Sequence, residues 1–388
     1  MTTIIHSVRL VDGGMATDDA WVSFEGARVA GTGTGDAWRA LSNRGDTVIN
    51  GTEIAGVGAV LTPGFIDVHG HGGGGFAYDD GPDAIRAARR LHRAHGTTRA
   101  VISLVTAPLE TLERRAAMVA DLTTTDVDVL GSHLEGPFLD PGHKGAHDES
   151  LLRHPEPAAV AGLLAAGRGT IRQVTLAPEL PGGLDAIAAV VDAGAVAAVG
   201  HTGATTDAAT AAFDAGATML THAFNAMPGL HHRDPGPVGA ALRDERVVLE
   251  IITDGVHLHP DVVRIVFDAA PGRVALVTDA MAAAGGADGH YDLGSLTVEV
   301  QDGIARLAGG GAIAGSTLTQ DAALRFAVAT GVSLEAAIAA LTSTPARAIG
   351  RADLGRLEPD CHADAVLLSR DLQVCAVWID GESAELKA

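Results

Sequence analysis

The sequence predicts an α/β protein: a (β/α)8 TIM-type barrel with a small β domain built from both chain termini. Three observations carry this expectation. After Pro63, eight short apolar runs alternate with Ala-rich stretches of helical period. Both ends of the chain instead read as short strands broken by Gly and Asp turns. A length of 388 residues suits one large barrel with an appendage, or two domains.

In chain order, "TIIHSVRLVDGG", "AWVSFEGARVAGTG" and "TEIAGVGAVLTPG" are β segments within the first 60 or so residues. The barrel runs follow: "FIDVHGHG", "RAVISLV" from Arg99, "VDVLGSHLEGP" from Val127, "RQVTLAPE" from Arg172, "VAAVGHTG" from Val196, "ATMLTHAFNAM" from Ala217, "VVLEIITDGVH" from Val247 and "RVALVTDA" from Arg273. Helix candidates separate them, such as "PDAIRAARRLHRAHG" with Gly96 as its stop; "TLTQDAALRFAVATG" follows the last run. Between Gly285 and Ser316 a hairpin excursion interrupts the rhythm, and from about Ala352 short strands return. The expected division is 1–62 with 348–388 for a small β-sandwich-like domain, and 63–347 for the barrel.

Composition narrows the partners. A formal charge of −21 argues against nucleic acid or anionic membrane, so an anionic ligand needs a local basic pocket. Two cysteines, Cys361 and Cys375, are too few for a disulfide scaffold and wrongly spaced for a cysteine-based zinc site. The opening residues show no charged leader with an apolar core, and no segment approaches 18 uncharged apolar residues. A soluble cytoplasmic protein is expected, as a homodimer or higher homo-oligomer.

In such a barrel, chemistry sits at the carboxyl ends of the strands. His69 and His71 end the first run, Glu135 the third, His201 the fifth, His222 the sixth and Asp279 the eighth, so all six face one mouth. Imidazole and carboxylate suit Zn²⁺ or Fe²⁺, and His-x-His at a strand end can supply two ligands together. Singly, each has a plainer explanation: a structural histidine among 17, a helix N-cap at Asp279, a strand end at Glu135. Jointly they favour a metal centre, because six polar groups crowding one mouth without compensation would be costly.

The motifs "PGFIDVHGHG", "LEGPF", "KGAH", "GHTGA", "THAFNAM", "DGVH" and "VTDAM" resemble, in order and context, those of the N-acetylglucosamine-6-phosphate deacetylases of the metal-dependent amidohydrolase superfamily. The likeness spans nearly the whole chain; His-x-His marks only the superfamily, while "LEGPF", "THAFNAM" and "VTDAM" together are far more specific. It implies hydrolysis of N-acetyl-D-glucosamine 6-phosphate to D-glucosamine 6-phosphate and acetate, in amino-sugar catabolism and cell-wall recycling. It also implies a principal divalent ion, zinc or iron, on Glu135, His201 and His222, with a second permitted by His69 and His71. Asp279 becomes the proton shuttle and His147 the support for the oxyanion, a surface loop histidine being the plainer reading of His147. Around the sugar phosphate it places Ala146, Asn225, the Ala226 amide, Arg233, Asp254 and His257; Ile313, Ala314 and Gly315 rest on the resemblance alone. "LDPGHKGAHD" reads as a mobile lid or an ordinary loop. The only lysines, Lys144 and Lys387, lie off the barrel runs, which disfavours sites bridged by a carboxylated lysine and leaves any bridging to Glu135. The rival readings are deacetylation of N-acetylgalactosamine 6-phosphate or an N-acyl amino acid, and a noncatalytic scaffold of the same fold.

Overall fold

The computed structural model describes residues 2–309 and 311–385. Strands β1 (Thr2–Asp12), β2 (Met15–Glu25) and β3 (Arg28–Thr34) form an antiparallel meander, and β4 (Thr47–Asn50) and β5 (Val60–Pro63) pair with β1 in parallel. Between these last two the chain departs from the all-strand expectation. Gly51–Ala55 forms helix α1, because the Asn50 side chain accepts from the Thr52 amide and Glu53 sits in the first turn.

The eight barrel runs all become parallel strands of one sheet. They are β6 (Phe65–Asp67) and, after the small hairpin of β7 (Gly72–Gly73) and β8 (Phe76–Ala77), β9 (Thr97–Val105), β10 (Val129–Glu135), β11 (Ile171–Leu176), β12 (Val196–Val199), β13 (Met219–Leu220), β14 (Val248–Ile251) and β15 (Val274–Leu276). Both faces of these strands are covered, which explains why their runs are nearly continuously apolar rather than alternating. The covering helices are α2 (Pro82–Ala94), α3 (Leu109–Leu122), α4 (Pro157–Ala166), α5 (Gly183–Asp192), α6 (Thr206–Asp214), α7 (Gly236–Arg243) and α8 (Pro260–Ala269), followed after β15 by α9 (Gln320–Ala329), α10 (Leu334–Leu341) and α11 (Ser343–Ala348).

Among the described residues the edge strands β6 and β15 share no ladder, and the ring is closed there by other means. Thr278 Oγ1 donates to Asp67 Oδ2 at 2.6 Å, and the Asp279 amide donates to the His69 carbonyl at 2.8 Å. From α9, Gln320 Nε2 donates to the Ile66 carbonyl at 2.9 Å and reaches the Leu276 carbonyl at 3.4 Å. One side chain therefore bridges both edges.

The excursion after β15 is a three-stranded antiparallel sheet, β16 (Gly289–Leu293), β17 (Leu296–Gln301) and β18 (Ile304–Leu307), one strand more than a hairpin. The extra strand follows a tight turn in which Asp302 and Gly303 both have positive φ, a conformation that matches strand twist. Its apolar side packs Leu293 and Val298 with Val105 and Met281, beside the barrel mouth. The tail supplies β19 (Ala365–Leu368), β20 (Val374–Ile379) and β21 (Glu382–Ser383); β19 pairs antiparallel with β5, so both ends of the chain share one eight-stranded sheet. Arg99, on β9, ties the barrel to that sheet through ion pairs with Asp364 at 2.6 Å and Asp380 at 2.7 Å.

Candidate metal centre and active-site cleft

Glu135 ends β10 and is the hub of the site. Its Oε1 lies 3.2 Å from His69 Nε2, 3.2 Å from His201 Nε2 and 3.3 Å from His222 Nε2. Its Oε2 lies 3.1 Å from His71 Nε2 and 3.5 Å from His147 Nε2. Asp279 Oδ1 completes the set at 3.2 Å from His71 Nε2 and 3.5 Å from His69 Nε2. All of these residues are buried. His201, His222 and Asp279 each leave their strand with positive φ, +48°, +26° and +47°. Such backbone costs about 1–3 kcal/mol per non-glycine residue and concentrates at functional sites. Among the described residues no helix uses Asp279 as its cap, the next one beginning at Gln320.

The donors suit a cation. His69, His71 and Asp279 form one group whose ligand atoms lie within 4.8 Å of one another, and Glu135, His147 and His201 form a second. His222 Nε2 stands 3.0 Å from His201 Nε2, and His71 Nε2 stands 3.3 Å from His69 Nε2. The His201 Nδ1–H donates to the His143 carbonyl at 3.0 Å, which leaves its Nε2 with only a lone pair to present. Lone pairs facing lone pairs and carboxylates repel unless a positive charge lies between them. Without a metal, protons supply it. Burial works against the His71 imidazolium, yet Asp279 and Glu135 push its pKa up to about 9. His69 is likewise raised well above its ordinary value, Glu135 and Asp279 overcoming burial. Burial also opposes charge on Asp279, but His69 and His71 hold it below the usual carboxylate range. Lys144 lies in the loop after β10, and Lys387 lies outside the described residues.

Above this centre opens a cleft of about 260 Å³ lined by His71, Glu135, His147, His201, His222 and Asp279, together with Ala146, Asn225, Ala226, His257, Ile313 and Gly315. His147 is buried rather than on the surface. Its loop is stitched to the end of β12 by the Asp140 amide donating to the His201 carbonyl at 2.9 Å and by the His143 carbonyl. Asp254 sits behind His257, whose Nδ1 approaches it at 2.7 Å; burial disfavours the imidazolium but Asp254 raises its pKa. Asn225 Nδ2 donates to the His222 carbonyl at 3.2 Å. Ala314 is fully buried beneath the lining. Gly315 has φ +62°, and a Cβ there would lie 2.9 Å from the Asp279 carbonyl oxygen, so only glycine fits without a shift. Arg233 is not brought to the cleft by its own chain: it is exposed, in a turn closed by the His231–Asp234 bridge.

Several participants escaped the sequence reading. Val105, Gly145, Leu293 and Ala312 also line the cleft. Below it, His133 lies between Ser103 Oγ at 2.9 Å and Thr175 Oγ1 at 2.8 Å, and Glu250 lies under His69. The signal for these two was a polar residue inside an apolar strand run; His133 stands two residues before Glu135 and so shares its face.

The amidohydrolase family model matches residues 60–384. An N-acetylgalactosamine-6-phosphate deacetylase of Escherichia coli O157:H7 is 42% identical over 331 residues, covering 84% of this chain and 88% of that protein. An N-acetylglucosamine-6-phosphate deacetylase of Bos taurus is 38% identical, covering 84% and 83%. Among solved structures, a mutant N-acetyl-D-glucosamine-6-phosphate deacetylase of Mycobacterium smegmatis in complex with N-acetyl-D-glucosamine 6-phosphate superposes with a TM-score of 0.92 at 41% identity, over 99% of both chains. The Thermotoga maritima N-acetylglucosamine-6-phosphate deacetylase gives 0.87 at 29% identity, over 98% of this chain and 99% of that one.

Proposed function

The chain belongs to the amidohydrolase family, and from that membership and the cleft geometry we propose that it hydrolyses the acetamide of N-acetyl-D-glucosamine 6-phosphate, releasing acetate and D-glucosamine 6-phosphate. The carrying observation is the convergence of five imidazoles on Glu135 at the mouth of the barrel, with Asp279 against two of them. The family is metal-dependent, and the two donor groups fit a cation. Glu135, His201 and His222 are read as the ligands of a principal zinc or iron ion, with His69 and His71 available to a second. When bound, such an ion makes a water acidic near neutral pH and polarises an amide carbonyl.

The chain's own residues do the rest. Asp279, held as the carboxylate by its histidine neighbours, accepts the proton of the attacking water and returns it to the departing amine. His147, buried at the rim, donates toward the oxygen on which charge develops. Asn225, the Ala226 amide and His257, whose charge Asp254 favours, receive the phosphate. Arg233 is read as reaching this pocket from a second copy in a homodimer or higher homo-oligomer, since its own chain leaves it exposed.

The test combines metal analysis with acetate release on N-acetylglucosamine and N-acetylgalactosamine, each with and without the 6-phosphate. Turnover should require bound metal and favour the phosphorylated gluco epimer. Metal-independent turnover, or indifference to phosphate, would overturn the reading; preference for the galacto epimer would reassign the substrate. Glu135→Gln and His201→Ala should each lose tightly held metal, and full metal content in either removes that residue from the ligand set.

A further inference from the structure

Glu250 lies on β14, fully buried beneath the cleft, and none of the chemistry above uses it. Its carboxylate nonetheless touches the site twice. Oε2 stands 3.0 Å from His69 Nδ1 and accepts from the His222 amide at 3.3 Å, while Oε1 accepts from Gln173 Nε2 at 2.8 Å. Both carboxylate oxygens already act as acceptors, Oε1 from Gln173 and Oε2 from the His222 amide, so the proton between Oε2 and His69 belongs to Nδ1 and the opposite nitrogen is left to face Glu135 and Asp279. The second contact matters equally, because His222 leaves β13 at φ +26° and its amide is pinned where the chain turns. Thus one buried group on β14 fixes residues from two other strands.

Resting on the metal reading above, we propose that Glu250 is a positioning residue of the metal centre, setting the ring orientation and tautomer of His69 and the turn that presents His222. A carboxylate placed behind a ligating imidazole fixes the nitrogen offered to the metal and raises its basicity. Gln173 in turn holds the carboxylate from below.

The full-length Glu250→Leu and Glu250→Gln variants test this. Stepwise zinc affinity is read by chelator competition, zinc per chain by mass spectrometry, and the His69 Nδ1–H proton by NMR of the zinc-loaded protein with labelled histidine. Glu250→Leu, keeping bulk but no acceptor, should weaken at least one zinc-binding step by about 10–100-fold. Glu250→Gln should recover part of that loss, since an amide oxygen still accepts, while the His69 proton moves upfield. Folded variants that bind zinc as the parent does would overturn the role. Should the Leu variant fail to fold, the Gln variant decides: parental affinity with an unshifted proton overturns the proposal, and weaker zinc binding with the shift supports it. A parent that binds no zinc overturns the metal centre and this role together, whereas a zinc-binding parent with indifferent variants overturns Glu250 alone.

Discussion

His92, on α2, is a buried imidazole outside the metal centre, its Nε2–H donating to the Gly72 carbonyl at 2.8 Å. Burial, and then Arg89, push its pKa down to about 4. Between the ordinary value near 6.5 and that value, the unfolded chain takes up a proton that the folded chain refuses, so stability falls as pH falls through this window. His92→Gln keeps the donor and removes the titration. The stability advantage of the parent over that variant should therefore shrink by up to about 1.4 kcal/mol per pH unit below pH 6.5. Urea unfolding of both proteins from pH 7 to 4.5 checks this, and a gap constant with pH would contradict it. At Asp279 the expected loss is kinetic: Asp279→Asn should fold and bind substrate but turn over about 10²–10⁴-fold more slowly. A rate within a few-fold of the parent would remove its role as proton shuttle. Asp279 and the other mouth residues were legible because each stands at a run's end, where polarity is conspicuous; His92, inside a helix, was not. Glu250 and His133 were not, because one polar letter inside a buried strand gives no hint of which neighbours from other strands complete it.

Elements were legible in number more than in extent. The run "ATMLTHAFNAM" yields only the two-residue β13, because His222, Phe224 and Ala226 all take positive φ and the chain leaves the ladder. Apolar periodicity marks the strand; it carries no record of where backbone geometry turns the chain out of it. The same limit hid α1, whose formation depends on a local cap at Asn50. Contacts between elements are further from the sequence still. Arg99 has a side chain 3% exposed, and its partners Asp364 and Asp380 lie more than 260 positions away in the tail. Arg99→Met should cost about 3–5 kcal/mol, since it strands the buried charge of Asp364 and most of that of Asp380. Denaturant unfolding measures this loss, and a cost below about 1 kcal/mol would mean that the ion pairs contribute little.

At the scale of the whole molecule, the alternation of strands and helices was enough to specify the barrel, because a parallel sheet needs crossovers and eight such strands make a ring. It could not place Arg233, which its own chain leaves exposed in the turn closed by the His231–Asp234 bridge. Arg233→Ala should lower kcat/KM for the phosphorylated sugar by roughly ten- to a hundredfold, the worth of one charge-assisted contact, and leave turnover of the unphosphorylated sugar nearly unchanged. Equal loss on both sugars would assign Arg233 to the fold. The ring itself is a hoop laced at seven joints and left unlaced at the eighth, where Thr278, Asp67 and Gln320 act as the clasp. His69 and His71 follow one lip of that joint and Asp279 follows the other, so an ion gripped by all three would fasten the hoop as well as arm it. Deuterium uptake should then begin at the lips, residues 65–72 and 274–282, sooner than in β10, and zinc should slow it there most; uniform slowing across the barrel, or none, would show that the hoop is held shut by its clasp alone.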